Sequence, residues 1–342
     1  NRLLPDPGAP TPLEGAITAD WLVIGAGFAG LAAAHRLSRE APGDRIVVLD
    51  AVRVGEGPAG RNSGFMIDLP HDLTSDDYGG GLAGDLAQTA DNRRGIAHAH
   101  AMVEDFGLGP EAFVMSGKIN AAATARGDAH NRSFARHLTA MAEPHTHLDA
   151  AQMQDITGTP YYQSGLFTPG SAMIQPAMFV RGVAAGLRSN RVSLHENSPV
   201  TGLDRQGDWV ATTPGGQVTA PRVILAVNGH LDSFGFLPGR LMHVFTYASM
   251  TGPLTARQSA RLGGKGIWAL TPADPMGTTV RRISGTGGDR IIIRNRFTFD
   301  PSMEVNEARI ARVARDHDKA FAARFPMLDD VAMEAEARKV MG

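Results

Sequence analysis

The stretch "DWLVIGAGFAGLAAAHRLSRE", residues 20–40, decides how the rest of the chain is read. "WLVIGAG" is a short apolar run bounded by an acid and by glycines, the pattern of a buried parallel strand. "FAGLAAAHRLSRE" is made of strong helix formers and stops at Pro42-Gly43. "RIVVLD", residues 45–50, supplies a second strand and completes a βαβ unit. Between the first strand and the helix, Gly25, Gly27 and Gly30 match G-x-G-x-x-G. The first glycine makes the tight turn, the second lets a pyrophosphate approach the backbone, and the third lets helix and strand pack closely. Phe28 and Ala29 open the helix, where free N–H groups and the positive end of the dipole face phosphate. Asp50 follows Gly30 by 20 residues, at the end of the second strand, in register for ribose hydroxyls. An acid there prefers a free 2′-hydroxyl, as in NAD or the ADP half of FAD, over the 2′-phosphate of NADP.

Composition sets the outer limits. A chain of 342 residues has room for two domains or one large α/β unit. A net charge of −2 argues against a nucleic-acid binder, which would carry a basic stripe. Cysteine is absent, which removes disulfides, thiolate nucleophiles and cysteine-linked cofactors, and fits a cytoplasmic setting. No apolar run reaches the roughly 20 residues of a membrane span. The N-terminal residues 1–17, with their prolines and glycines, read as an irregular arm on the surface or on a neighbour.

Further along, residues 82–106 read as helical with a break near Gly95. "NRSFARHLTAMAE" and "PAMFVRGVAAGLRSN" are further helices, and "NEARIARVARDHDKAFAARF" is amphipathic, with Ile310, Val313 and Phe321 near one face. Residues 191–229 read as short strands around a Gly215-Gly216 turn, and "HVFTYASMTGPL" and "RIIIRNRFTF" as later strands. Alternating strands and helices followed by a strand-rich part make the expected class α/β, α+β overall: a nucleotide domain interleaved with a second, antiparallel-sheet domain. No second glycine fingerprint follows a credible strand and opens a helix, so one dinucleotide is expected.

The loop after the second strand, "VGEGPAGRNSGFM" (54–66), resembles the D-amino-acid-oxidase-like flavoprotein family, above all its amine- and γ-glutamylputrescine-oxidizing branch. That branch commonly carries Gly-Ala-Ser-Gly-Arg-Asn-Gly-Gly where this chain has Gly57-Pro58-Ala59-Gly60-Arg61-Asn62-Ser63-Gly64. "YYQSGLFTPGSAMIQPAMFVRGVAAGL" (161–187), "NSPVTGL" (197–203) and "VILAVNGH" (223–230) resemble later family segments in the expected order. The resemblance implies FAD as cofactor. It assigns Gly25, Gly27, Phe28, Ala29, Gly30, Asp50, Ala51, Arg53, Gly60, Arg61, Asn62, Ser63, Gly64, Val200, Asn228 and Gly229 to its site. Ala59, Ser63 and Val227 stand where the family usually has Ser, Gly and Thr. Family members continue with a strand, a glycine-rich turn and a final helix, whereas the chain ends in "EAEARKVMG" (334–342). The expected division is an FAD-binding domain of residues 18–80, 150–229 and 326–342, incomplete at its C-terminal part, with a substrate domain of residues 81–149 and 230–325.

The resemblance implies oxidation of a C–N bond of an amine or amino acid by hydride transfer to flavin N5, with oxygen or another molecule as electron acceptor. A carboxylate on that substrate calls for arginine. Arg294 and Arg296 share one side of a strand at period two. His243, Phe245 and Tyr247 share another, with Tyr247 as hydrogen-bond partner and His243 as base or orienter. Solvated or packed strand faces are the bland alternatives for both sets. "HAH" (98–100) and "HTH" (145–147) lack metal-like spacing, so no metal is expected. Two other functions stay open: FAD-dependent oxidation of a 2-hydroxy acid, and a non-catalytic flavoprotein subunit. A plain NAD dehydrogenase leaves the GRNSG loop without a purpose.

Overall fold

The computed structural model describes residues 3–70, 78, 81–274 and 277–334, together with the backbone of 339–341. The βαβ unit forms as the periodicity requires. Four parallel strands run in the order Val192–His195, Ile46–Leu49, Trp21–Ile24, Arg222–Leu225. Both faces of this sheet are covered, which is why its strands are continuous apolar runs. On one face Val23, Ile46 and Val48 pack with the helices Phe28–Glu40, Leu82–Asp105 and Pro176–Leu187. On the other, Leu22, Ile24, Val47 and Leu49 meet Ala211, Val218 and Ala220 of a second sheet, ordered Gly15–Thr18, Gly216–Ala220, Asp208–Thr213, Gly202–Gln206.

A large mixed sheet of eight strands follows the order Lys339–Met341, Val244–Met250, Arg290–Phe299, Thr279–Ile283, Trp268–Pro272, Lys118–Ala122, Ser164–Thr168, Thr146–Asp149. One face of it is the second core. Ile119, Leu270, Val280, Ile291 and Ile293 pack there with Phe321 of the helix Glu307–Arg324 and with Phe325. A small sheet of Phe65–Met66, Ala172–Ile174 and Phe113–Met115 is fed by the loop after Asp50 and leads into the large sheet. Among the described residues no helix is long and apolar enough to cross a membrane.

Several expectations need correction. The helix expected to break at Gly95 runs unbroken from Leu82 to Asp105. A single exposed glycine costs a helix only about 1 kcal/mol, and Ile96, Ala99, Met102 and Val103 anchor the next turns in the core. The N-terminal arm is not irregular throughout. Gly15–Thr18 adds a parallel strand beside Gly216–Ala220, and Leu13 is buried, its amide donating to Ser198 Oγ at 2.8 Å. Sheet membership also differs from the expected division. Ser164–Thr168 and Lys339–Met341, assigned to the nucleotide-binding part, pair with strands of the large sheet. The expected boundary near residue 80 falls beside 71–77 and 79–80, which lie outside the described residues, as do 335–338 and 342.

Candidate active site

The glycine turn is built as the motif requires. Gly25 takes φ +105°, and a Cβ on it would meet the Ala226 carbonyl oxygen at 2.4 Å. A Cβ on Gly30 would lie 1.8 Å from the Gly25 carbonyl oxygen, so helix and strand touch through backbone alone. Gly27 caps the helix Phe28–Glu40 with no side-chain hydrogen bond, which leaves the first amides open to a ligand. Asp50 Oδ2 accepts from the Ala26 amide at 2.7 Å and Oδ1 from the Val52 amide at 3.0 Å. The carboxylate thus fixes the turn, and each oxygen keeps a lone pair. Burial raises its pKa, with the Glu196 charge adding to the same direction.

The GRNSG loop closes on itself. Asn62 Nδ2 donates to the Ala59 carbonyl at 2.8 Å, and its Oδ1 accepts from the Gly64 amide at 2.8 Å. The Asn62 side chain, expected at the cofactor, is therefore occupied in shaping the loop. Arg61 is exposed, with no side-chain hydrogen bond or ion pair among the described residues. Gly60 has no room for a Cβ, which would meet the Gly55 carbonyl oxygen at 2.0 Å. Arg53 differs from expectation. Its guanidinium reaches the arm, pairing with Asp6 at 3.2 Å and donating to the Gly8 carbonyl, because residues 4–7 lie across its face. Ala51 is exposed, and Val200 is half-buried against the core beneath the parallel sheet. Asn228 takes φ +49° at the start of the turn after Arg222–Leu225, and Gly229 packs so closely on His243 that a Cβ would lie 2.9 Å from Nδ1.

These features fit the ADP half of FAD. The turn admits nothing but backbone where a pyrophosphate must approach, the helix end is uncapped, and Asp50 stands at the strand end with acceptor capacity left. Phe28, Ala29 and Gly30 would hold the pyrophosphate through their amides, and Asp50 the ribose.

The large sheet carries the second half of the site. Side chains alternate faces along a strand, and residues directly paired across strands share one. Through the pairings Leu270 with Ile119, Ala269 with Arg281, Arg281 with Ile292 and Ile292 with Met250, one row on the face opposite the apolar core reads Lys118, Ala269, Arg281, Ile292, Met250. The next row reads Asn120, Thr271, Thr279, Arg294, Ala248. One face of the sheet is therefore mostly hydrocarbon, with Arg282, Ser249 and Tyr247 among its side chains, and these two rows of the other carry three cations, an amide and two hydroxyls.

Arg281 ties this polar face to the loop. It is 8% exposed, and its Nη1 donates to the carbonyls of Ser63 at 3.0 Å and Ile174 at 2.7 Å. Gly64, at φ +74°, is glycine for that reason: a Cβ would lie 2.3 Å from the Arg281 Nη1. Arg281 Nε is buried without a partner, and burial pushes the guanidinium down to about 10. Burial lowers the Arg294 pKa as well, and Arg294 lies over the Phe297 ring at 5.2 Å. Among the described residues no carboxylate pairs with either arginine.

The other expected catalytic residues are not brought together. Arg296 sits at a bulge, at φ +67°, where the register between Val244–Met250 and Arg290–Phe299 slips. The extra residue cancels the period-two relation to Arg294. Arg296 instead pairs with Asp316 at 2.9 Å on the exposed side. Tyr247 is 2% exposed on the helix-covered face, its hydroxyl 2.5 Å from Thr298 Oγ1. His243 lies beside Gly229, ahead of that strand. Sequence reasoning missed Lys118 and Arg281. The available signal was a charge inside strand-like apolar runs, "KINAAA" and "TTVRRI".

The chain is similar to known oxidoreductases in sequence and in fold. A probable oxidoreductase, OrdL, of Rhizobium meliloti is 28% identical over 256 residues, 71% of this chain and 56% of the relative. The γ-glutamylputrescine oxidoreductase of Escherichia coli is 28% identical over 226 residues, 64% of this chain and 51% of that protein. The chain thus spans about half the length of the curated relatives it matches. The fold is that of glycine oxidase from Geobacillus kaustophilus, with TM-score 0.70 and 17% identity over 93% of this chain and 81% of that one. It is also that of L-proline dehydrogenase from P. horikoshii, with TM-score 0.67 and 14% identity over 94% and 80%. Residues 20–338 match the family described as DAO, FAD dependent oxidoreductase, and the chain belongs to that family.

Proposed function

We propose that the protein oxidizes a C–N bond of an amine or amino acid, such as a γ-glutamyl amine or a secondary amino acid. The observation that carries this reading is the polar face of the large sheet, tied by Arg281 to the loop at Ser63–Gly64. FAD, held there, would supply the two-electron acceptor for that oxidation. The chain's own contribution is position and charge. The amides of Phe28, Ala29 and Gly30 and the carboxylate of Asp50 hold the cofactor at its ADP end. Arg281 and Arg294 face the substrate with buried charge that no acid of the described chain neutralises, which suits a substrate carboxylate. Arg294 keeps the role expected of it, and Arg281 takes the place expected of Arg296. Ile292, on the same strand and face as Arg294, and Met250, paired with Ile292, add apolar surface beside these charges. Family membership and the names of the E. coli and G. kaustophilus proteins support the same chemistry.

The test is anaerobic reduction of the FAD-loaded protein, followed by absorbance, with γ-glutamyl amines, N-methyl amino acids, D-amino acids and 2-hydroxy acids. Bleaching by the nitrogen compounds is expected. Bleaching by hydroxy acids alone, or by none of them, overturns the reading.

A further inference from the structure

Lys118 is sealed within the large sheet at 2% exposure, whereas Arg53 and Arg181 open on a cavity of about 200 Å³ beneath the N-terminal arm. Arg53 lies in the loop after the parallel strand Ile46–Leu49, and Arg181 on the helix Pro176–Leu187. Burial lowers the Arg181 pKa and the Arg53 charge adds to it, so the two guanidiniums sit close enough to repel. The arm supplies their acceptors. Arg181 donates to the Pro5 carbonyl, and Arg53 Nη2 donates to the Gly8 carbonyl and to Asp6 Oδ1. Arg53 Nε is buried without a partner, and its Nη1 has none among the described residues. The hydrogen bond from Arg53 holds the Asp6 carboxyl below its usual range, and the Arg181 charge acts the same way. Asp6 is thus a counter-ion to both arginines. Its side chain is 81% exposed, and an ion pair so open to water is worth little. Glu56 lines the same cavity, and its carboxylate has no hydrogen-bond or ion-pair partner among the described residues. Leu4, Pro5, Pro7 and Val54 make the rest of the wall apolar.

Two guanidiniums and a separate carboxylate on an otherwise apolar wall suit a small molecule that carries both charges. We propose that the cavity beneath the arm binds a zwitterionic amino acid, its carboxylate on Arg53 and Arg181 and its ammonium on Glu56. The planar fork of arginine matches a carboxylate, and the apolar wall accepts an aliphatic side chain. An inorganic dianion meets the same arginines but is opposed by Glu56 and Asp6. Asp6 is then a tethered stand-in for the ligand carboxylate, the same chemical group on the same guanidinium, exposed enough to yield. None of the lining residues belongs to the large sheet, so this site is distinct from the polar face, and it stands whether or not the amine-oxidizing function does.

The deciding experiment is calorimetric titration of the FAD-loaded protein with 2-methylalanine, a zwitterion that has no hydrogen on its α-carbon and so is not oxidized there. The comparison ligands are 2-methylpropanoate and 2-propylamine, which each keep one of its two charges, and inorganic phosphate. The zwitterion should bind about tenfold or more tightly than any of the three, the worth of one charge-assisted contact. Arg181→Met and Glu56→Gln should each weaken it by about tenfold or more. Asp6→Asn should tighten it about threefold or more, because the competing carboxylate on Arg53 is gone. Phosphate or 2-methylpropanoate binding as tightly as the zwitterion overturns the proposal, since Glu56 then has no part. Undiminished binding in Arg181→Met overturns it by placing the ligand elsewhere. Binding that Asp6→Asn leaves unchanged or weakens also overturns it, and this exposed substitution decides alone should Arg181→Met not fold. So does the absence of 2-methylalanine binding in both the parent and Asp6→Asn. None of these results bears on flavin bleaching, by which the function is judged.

Discussion

Replacing Arg281 by Met should separate folding from function. Two terms oppose each other in the fold. The fall of the Arg281 pKa from 12.5 to about 10 corresponds to about 3 kcal/mol against burying its charge. Against that stand two charge-assisted hydrogen bonds, to Ser63 and Ile174, at about 1.5–3 kcal/mol each. Methionine keeps most of the packing, so Arg281→Met should change stability by no more than about 3 kcal/mol, well below the usual cost of emptying a core site. Function should suffer far more. A substrate carboxylate facing a buried, unpaired guanidinium loses about 2–5 kcal/mol when the charge is removed, a factor of about thirty or more in KM. An amine without a carboxylate should lose much less. The assay is urea unfolding of the FAD-loaded variant, together with kcat/KM for an amino acid and for its decarboxylated amine. An unchanged ratio between the two substrates would refute the carboxylate site. Loss of folding on the scale of a large core truncation would refute the cancellation.

Other sites give sharper expectations. Gly30→Ala puts a methyl group 1.8 Å from the Gly25 carbonyl oxygen, and FAD should no longer be retained after gel filtration. Asp50→Asn turns an amide donor towards the Ala26 or Val52 amide, and FAD affinity, followed by flavin fluorescence, should fall by about tenfold or more. Because burial raises the Asp50 pKa, the folded protein binds this proton more tightly than the unfolded chain. The stability that proton contributes to the FAD-free protein is therefore present at acid pH and lost as pH rises through the raised pKa, whereas FAD, which needs the carboxylate, should loosen as pH falls through it; calorimetry and fluorescence across that window check both signs. Tyr247→Phe should leave kcat/KM within about twofold, because the hydroxyl lies on the helix-covered face and bonds to Thr298, and should cost about 1 kcal/mol of stability.

The nucleotide end of the site was legible in the sequence because it is local. Gly25, Gly27, Gly30 and Asp50 act through a turn and two strands that lie within 30 residues of one another. The polar face was not legible, because Lys118 lies beside Ala269 and Arg281 only through the pairing of Ile119 with Leu270, residues 151 apart in the chain. Arg294 and Arg296 show a finer limit. Period two holds along a regular strand, and a bulge set by the partner strand cancels it at Arg296 without any local mark. Arg53 shows a third: its partners Asp6 and Gly8 belong to an arm that reads as unstructured by composition but packs through Leu13.

The burial of Lys118 also bears on how this protein can be handled. The chain has only four lysines, Lys118, Lys265, Lys319 and Lys339, so nearly all of its positive charge is guanidinium. Lys265 and Lys319 are exposed. Amine-directed reagents, whether dyes, biotin esters or aldehyde-activated supports, should therefore attach at those positions and spare the amine inside. Coupling the protein to a surface through its lysines would hold it by few points, with the polar face of the large sheet untouched.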